Sequence, residues 1–133
     1  MGLFTDYTTA AIAALKARAQ LTALVPAARI VEVVSDTMDY PNMYIEPGSL
    51  RDWSTKTENG VETEFTVNIG SRYNGTLETR KIADQVFEAL HFATLTPAGN
   101  EAVVCVHDNT NFLVDQDGKT RRCIMRFKMN LSE

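Results

Sequence analysis

The sequence predicts an α+β fold: an antiparallel or mixed β-sheet with a long hairpin, and two helices packed on one of its faces. Three observations predict it. Val61, Thr63, Phe65, Val67 and Ile69 alternate with Glu62, Glu64, Thr66 and Asn68, the two-residue period of a strand with one buried face. Residues at Thr8, Ala11, Ile12, Leu15 and Ala19, and again at Ala83, Val86, Phe87 and Leu90, repeat at helical spacing. Asn59-Gly60 and Asp115-Gln116-Asp117-Gly118 supply turn chemistry between extended segments.

Taken in order, Thr5 or Asp6 caps a first helix that runs to about Gln20, with a stripe of mostly small residues suited to close packing. Pro26 ends it, because proline cannot continue the hydrogen-bond ladder and pushes Val25 out of the helical region. A short apolar strand is expected at about 29–34, then a loop from Ser35 to Pro41. Asn42 opens the next extended segment, where Pro47-Gly48 marks a turn or bulge before the hairpin dipeptide Asn59-Gly60. After Asn74-Gly75 a second helix runs from about Thr76 to Phe92, with Glu78, Arg80, Lys81, Asp84 and Glu88 outward. Two further strands follow, 101–112 and 120–131, joined by the Asp115–Gly118 turn. The last places Cys123, Met125, Phe127, Met129 and Leu131 inward, and Arg122, Arg126 and Lys128 outward. Adjacent strands joined by short turns pair antiparallel, and only one helix lies between strands, so a doubly wound parallel fold is not expected.

At 133 residues the chain fits a single domain, long enough to bury a core without metals or disulfides. Hydrophobic residues make up 44% and charged residues 23%, which predicts neither disorder nor a membrane span. The net charge of −4 gives no electrostatic footprint for gripping a phosphate backbone. The N-terminal stretch has no basic region before its apolar residues, and Asp6 stands where a myristoylation signal needs Ser or Thr. Neither export nor lipidation is expected, and the protein is expected in the cytoplasm of the cell that makes it. Cys105 and Cys123 read as small buried hydrophobes in a reducing compartment, with a disulfide between neighbouring strands as the alternative.

Catalytic constellations are not found. His91 and His107 have no second His or Cys at metal-ligand spacing, and read as partly buried or capping residues. The Asp115–Gly118 run has glycine at the fourth position of a would-be calcium loop instead of the sixth, and no glutamate at the twelfth. There is no Gly-rich phosphate loop, nucleophile elbow or Cys-x-x-Cys. Catalytic residues, metal ligands and cofactors are therefore not expected, and the protein does not read as an enzyme.

The hairpin is the informative feature. About twelve residues per arm extend roughly 40 Å at strand rise, more than covers a domain of this size, so part of it should project. Arg51 and Trp53 fall on its first arm, and these are side chain types enriched at interface hot spots. Trp53 packed over its own sheet is the alternative. Glu58, Glu62 and Glu64 near the hairpin, and Arg121, Arg122, Arg126 and Lys128 late in the chain, offer oppositely charged sets for pairing within this subunit or with a neighbour.

The chain resembles the tail-terminator (tail-completion) proteins of long-tailed phages and of phage-like particles such as gene transfer agents. The resemblance is carried by LTALVPAARIVEVV, then YPNMYIEPGSLRDWSTKTENG with its DWSTKT element, EFTVNIGSRYNG, TRKIADQVFEAL and QDGKTRRCIMRFKMNL, in that order over nearly the whole chain. It implies a structural virion protein, a subunit that forms a ring of six on the head-proximal end of the tail tube, in the neck of a virion assembled in the bacterial host cytoplasm. Such a ring ends tube polymerisation and gives the head connector or stopper a docking surface, while DNA passes through its lumen without specific binding. A connector adaptor or stopper that joins head to tail is the alternative. On this sequence the matching element is Arg51, Asp52, Trp53, Ser54, Thr55 and Lys56, expected to contact a neighbouring subunit or the tube. Glu62, Glu64, Arg122, Arg126 and Lys128 complete the expected interface set.

Overall fold

A computed structural model describes residues 3–32, 38–52, 60–72, 77–91, 94–95, 103–114, 116 and 118–132. The order is α1 (Leu3–Lys16), a one-turn α2 (Ala19–Thr22), a 3-10 turn (Ala27–Arg29), β1 (Ile30–Val31), β2 (Asn42–Asp52), β3 (Gly60–Ser71), α3 (Leu77–Leu90), β4 (Thr94–Leu95), β5 (Val103–Val114) and β6 (Arg121–Ser132). This is the expected α+β class. The strands form one sheet in the order β1-β2-β3-β6-β5-β4, mixed because β1 runs parallel to β2 while the other pairs are antiparallel.

The first helix ends earlier than its stripe suggests. Arg18 is extended (φ −91°, ψ 109°) and breaks the helix, so Ala19, expected on the buried stripe, is exposed. The break tilts the next turn so that Leu21 and Val25 reach the core. Arg18 is held there by α3: its Nε donates to Gln85 Oε1 at 2.9 Å and its Nη2 pairs with Glu88.

On α3 the buried stripe is Thr79, Ile82, Ala83, Val86 and Leu90. Ile82 takes the place that spacing gave to Phe87. Phe87 lies at the stripe's edge, where its ring stacks on His91 at 4.5 Å and meets His107 edge-on at 5.2 Å.

Core residues come from the inward face of every long strand: Met43 and Ile45, Phe65, Val67 and Ile69, Cys105, and Cys123, Met125, Phe127 and Met129. Each fully buried Ile or Phe contributes ~1.5–3 kcal/mol by leaving water. Phe65 and Phe127, opposite each other in the β3–β6 register, stack with centroids 5.6 Å apart.

Two irregularities shape the sheet. The register of β2 shifts between Pro47 and Leu50, so Pro47-Gly48 is a bulge. A Cβ on Gly48 would stand 2.8 Å from the carbonyl oxygen of Glu64, so only glycine lets the two strands approach there. In β5 the register shifts between His107 and Asn109.

Candidate assembly surface

Helices α1 and α3 lie on one side of the sheet, and the other face presents the alternate side chains of its strands. Glu62 and Glu64 are half-buried on β3. On β6, Arg122 is half-buried, and Arg126 and Lys128 are exposed. Register sets them side by side: Glu64 opposite Lys128, Thr66 opposite Arg126, Gly70 opposite Arg122. The acidic and basic sets, distant in the sequence, share one face because β3 and β6 are neighbours for their whole length. Glu46, on β2, lies opposite Thr66. Across this face the β2–β3 half therefore carries Glu46, Glu62 and Glu64, and β6 carries Arg122, Arg126 and Lys128. Lys128 Nζ also approaches Asp108 Oδ1, at 4.0 Å.

Arg51 and Asp52 close β2, in register with Glu62 and Val61. Trp53, Ser54, Thr55 and Lys56 lie outside the described residues, as does Glu58. Nor is the described hairpin a free arm: β3 pairs with β6 from Gly60↔Ser132 to Ser71↔Arg121, so the sheet flanks the second arm along its length. Sequence reasoning missed this because pairing between β3 and β6 spans some fifty intervening residues and leaves no local mark.

It also missed the outer edge of β5. Phe112, Leu113 and Val114 are 46%, 40% and 48% exposed. Three consecutive apolar residues break the alternation of a half-buried strand, and that run was the available signal. The pairing of β4 covers this edge only at Val103 and Val104. Among the described residues no strand flanks it further on. At the other side of the sheet, β1 covers β2 only at Met43 and Tyr44. Beside β1 runs an open groove of about 470 Å³, lined by Thr9, Ile12, Lys16, Ile30, Val31 and Glu32.

The chemistry of the described residues is sparse. No three His, Cys, Asp or Glu side chains cluster as a metal site among them. Burial pushes the Cys105 and Cys123 thiols up to about 12. The two cysteines are not joined to each other: Cys105 is in register with Met129, six residues along β6 from Cys123, or roughly 20 Å of strand. His91 Nδ1 accepts the backbone N–H of His107 at 3.1 Å, and His107 Nε2 bonds Thr110 Oγ1 at 2.6 Å. These imidazoles join α3 to β5. No described helix is long and apolar enough to cross a membrane.

Residues 9–131 match the family model described as Tail completion protein gp17. No curated protein matches the sequence. Among solved structures, the chain is similar to one described as "Virion of native gene transfer agent (GTA) particle", with TM-score 0.88 and 21% identity, over 97% of this chain and 96% of that one. A second solved chain aligns with TM-score 0.61 and 16% identity, over 98% and 96%. Both likenesses show the fold.

Proposed function

The chain belongs to the family of tail completion protein gp17, structural proteins of phage-type tails, and from that premise we propose that it closes as a ring of six on the head-proximal end of a tail tube. The ring ends tube polymerisation and presents a docking surface to the head connector or stopper, with assembly in the host cytoplasm. The family match over residues 9–131 carries this reading. The unlike edges of the sheet support it, since head-to-tail contacts close a cycle only when one side of a subunit differs from the other, and here β5 exposes an apolar run where the opposite edge carries the α1–β1 groove. Arg51 to Lys56 is the proposed contact with a neighbour or the tube. A net charge of −4 suits a lumen through which DNA slides without specific binding.

The test is electron microscopy of tails assembled with and without this protein. Overlong tubes in its absence support termination. Tubes of normal length that lack heads overturn termination in favour of a joining role.

A further inference from the structure

We propose that the exposed β5 edge of one copy seats in the groove between α1 and β1 of the next, and that this is the lateral contact of the ring. The inference rests on the ring reading and adds the surfaces that meet. Its occupant is a second copy of this chain.

The two surfaces lie at one height in the sheet. Ile30, Met43, Ile69, Cys123 and Phe112 stand in one row across the sheet, each in register with the next. The row begins at the groove on one edge and ends at the exposed phenylalanine on the other. In-register neighbours share a face, so Phe112 projects on the helix-covered side, the side that Ile12 of α1 and Ile30 line at the opposite edge. A rotation about an axis along the strands preserves height, so it brings Phe112 of one copy level with the groove of the next.

Strand direction agrees. Antiparallel pairing alternates from β2 through β3 and β6 to β5, and β1 follows β2, so β5 runs opposite to β1. The same rotation therefore sets β5 antiparallel to the next copy's β1, the arrangement in which an open edge accepts a strand. An uncovered edge with consecutive apolar side chains is a template for pairing with another chain, which proteins otherwise blunt.

Charge agrees as well. Arg122, Arg126 and Lys128 lie one strand in from the β5 edge. Glu46 on β2 stands in the same row and on the same face as Arg126, through Thr66. Joining the two edges sets the basic half of one face beside the acidic half of the next.

Two variants test the contact. Phe112→Glu, at an exposed position, should melt within a few degrees of the wild type yet associate at least tenfold more weakly. Copies carrying Phe112→Cys, mixed with copies carrying Val31→Cys and treated with a short bismaleimide, should give a crosslinked dimer that neither variant gives alone. Wild-type association by Phe112→Glu, or assembled mixtures with no crosslink, would overturn the edge contact. The crosslink is read on self-association without tails. Failure of the ring reading shows separately, as tails whose length ignores the wild-type protein.

Discussion

His91 Nδ1 accepts the backbone N–H of His107 at 3.1 Å, which ties the C-terminal end of α3 to β5 at the irregularity where the strand's register shifts. The Phe87 ring stacks on His91 and touches His107, so the joint combines a hydrogen bond with aromatic packing. Removing the imidazole leaves a part-buried backbone donor without this acceptor. His91→Ala is expected to cost about 1–3 kcal/mol, read as a lowered urea midpoint at unchanged m-value. A midpoint equal to the wild type would show that the joint adds nothing to the stability of β5.

Cys105 and Cys123 make stability depend on alkaline pH. Burial raises their folded-state pKa from 9.0 to about 12, so the folded chain keeps both protons where the unfolded chain has lost them. This contribution is whole below about pH 9 and is lost as pH climbs toward 12. Urea midpoints should fall between pH 9 and 11, and a Cys105→Ala, Cys123→Ala double variant should show a shallower fall. In the native protein both thiols should react slowly with a thiol-specific dye at pH 8 and promptly in denaturant.

Gly48 is the position where a single methyl is least tolerated. Its Cβ would lie 2.8 Å from the Glu64 carbonyl oxygen, and backbone atoms on both strands must move to admit it. Gly48→Ala is expected to lose about 1–3 kcal/mol. At Gly118, φ is +70° and nothing stands within 4 Å of the place a Cβ would take, so Gly118→Ala should lose only about 1 kcal/mol, from backbone conformation alone. Thermal melts of the two variants test the order, and a Gly118 variant less stable than the Gly48 variant would reverse it.

Arg126 is exposed and in register with Thr66 and Asn109, so reversing its charge should change monomer stability by no more than about 0.5 kcal/mol. Assembly is expected to respond instead. Arg126→Glu should weaken self-association at low salt and much less at high salt, because exposed charges are screened within about 10 Å at 0.1 M. Equal association of variant and wild type at low salt, measured by sedimentation, would remove Arg126 from the contact.

The legibility of the chain follows the range of the interactions. Alternation in Thr63–Ile69 and Cys123–Met129 reports side chains two residues apart, and these strands and their buried faces are found as expected. Proline and glycine at 47–48 announced a turn or bulge because their backbone limits are local, and the register shift shows the bulge. The break at Arg18 was not legible, since its partners Gln85 and Glu88 come from α3. The candidate surface divides in the same way. Outward placement of Glu62, Glu64, Arg122, Arg126 and Lys128 followed from periodicity, but their neighbourhood on one face did not.

By itself, the sequence determined the α+β class, the strand faces, the two long helices and the kinship with tail-completion proteins, because periodicity, turn residues and motif order are properties of neighbouring positions. Tertiary structure alone decided that β6 enters between β3 and β5, that β1 runs parallel to β2, and that Phe112 and the α1–β1 groove share one height on opposite edges. Those facts depend on which distant strands find each other. That choice is made by burying all the inward faces against two helices at once, a condition that no single segment carries.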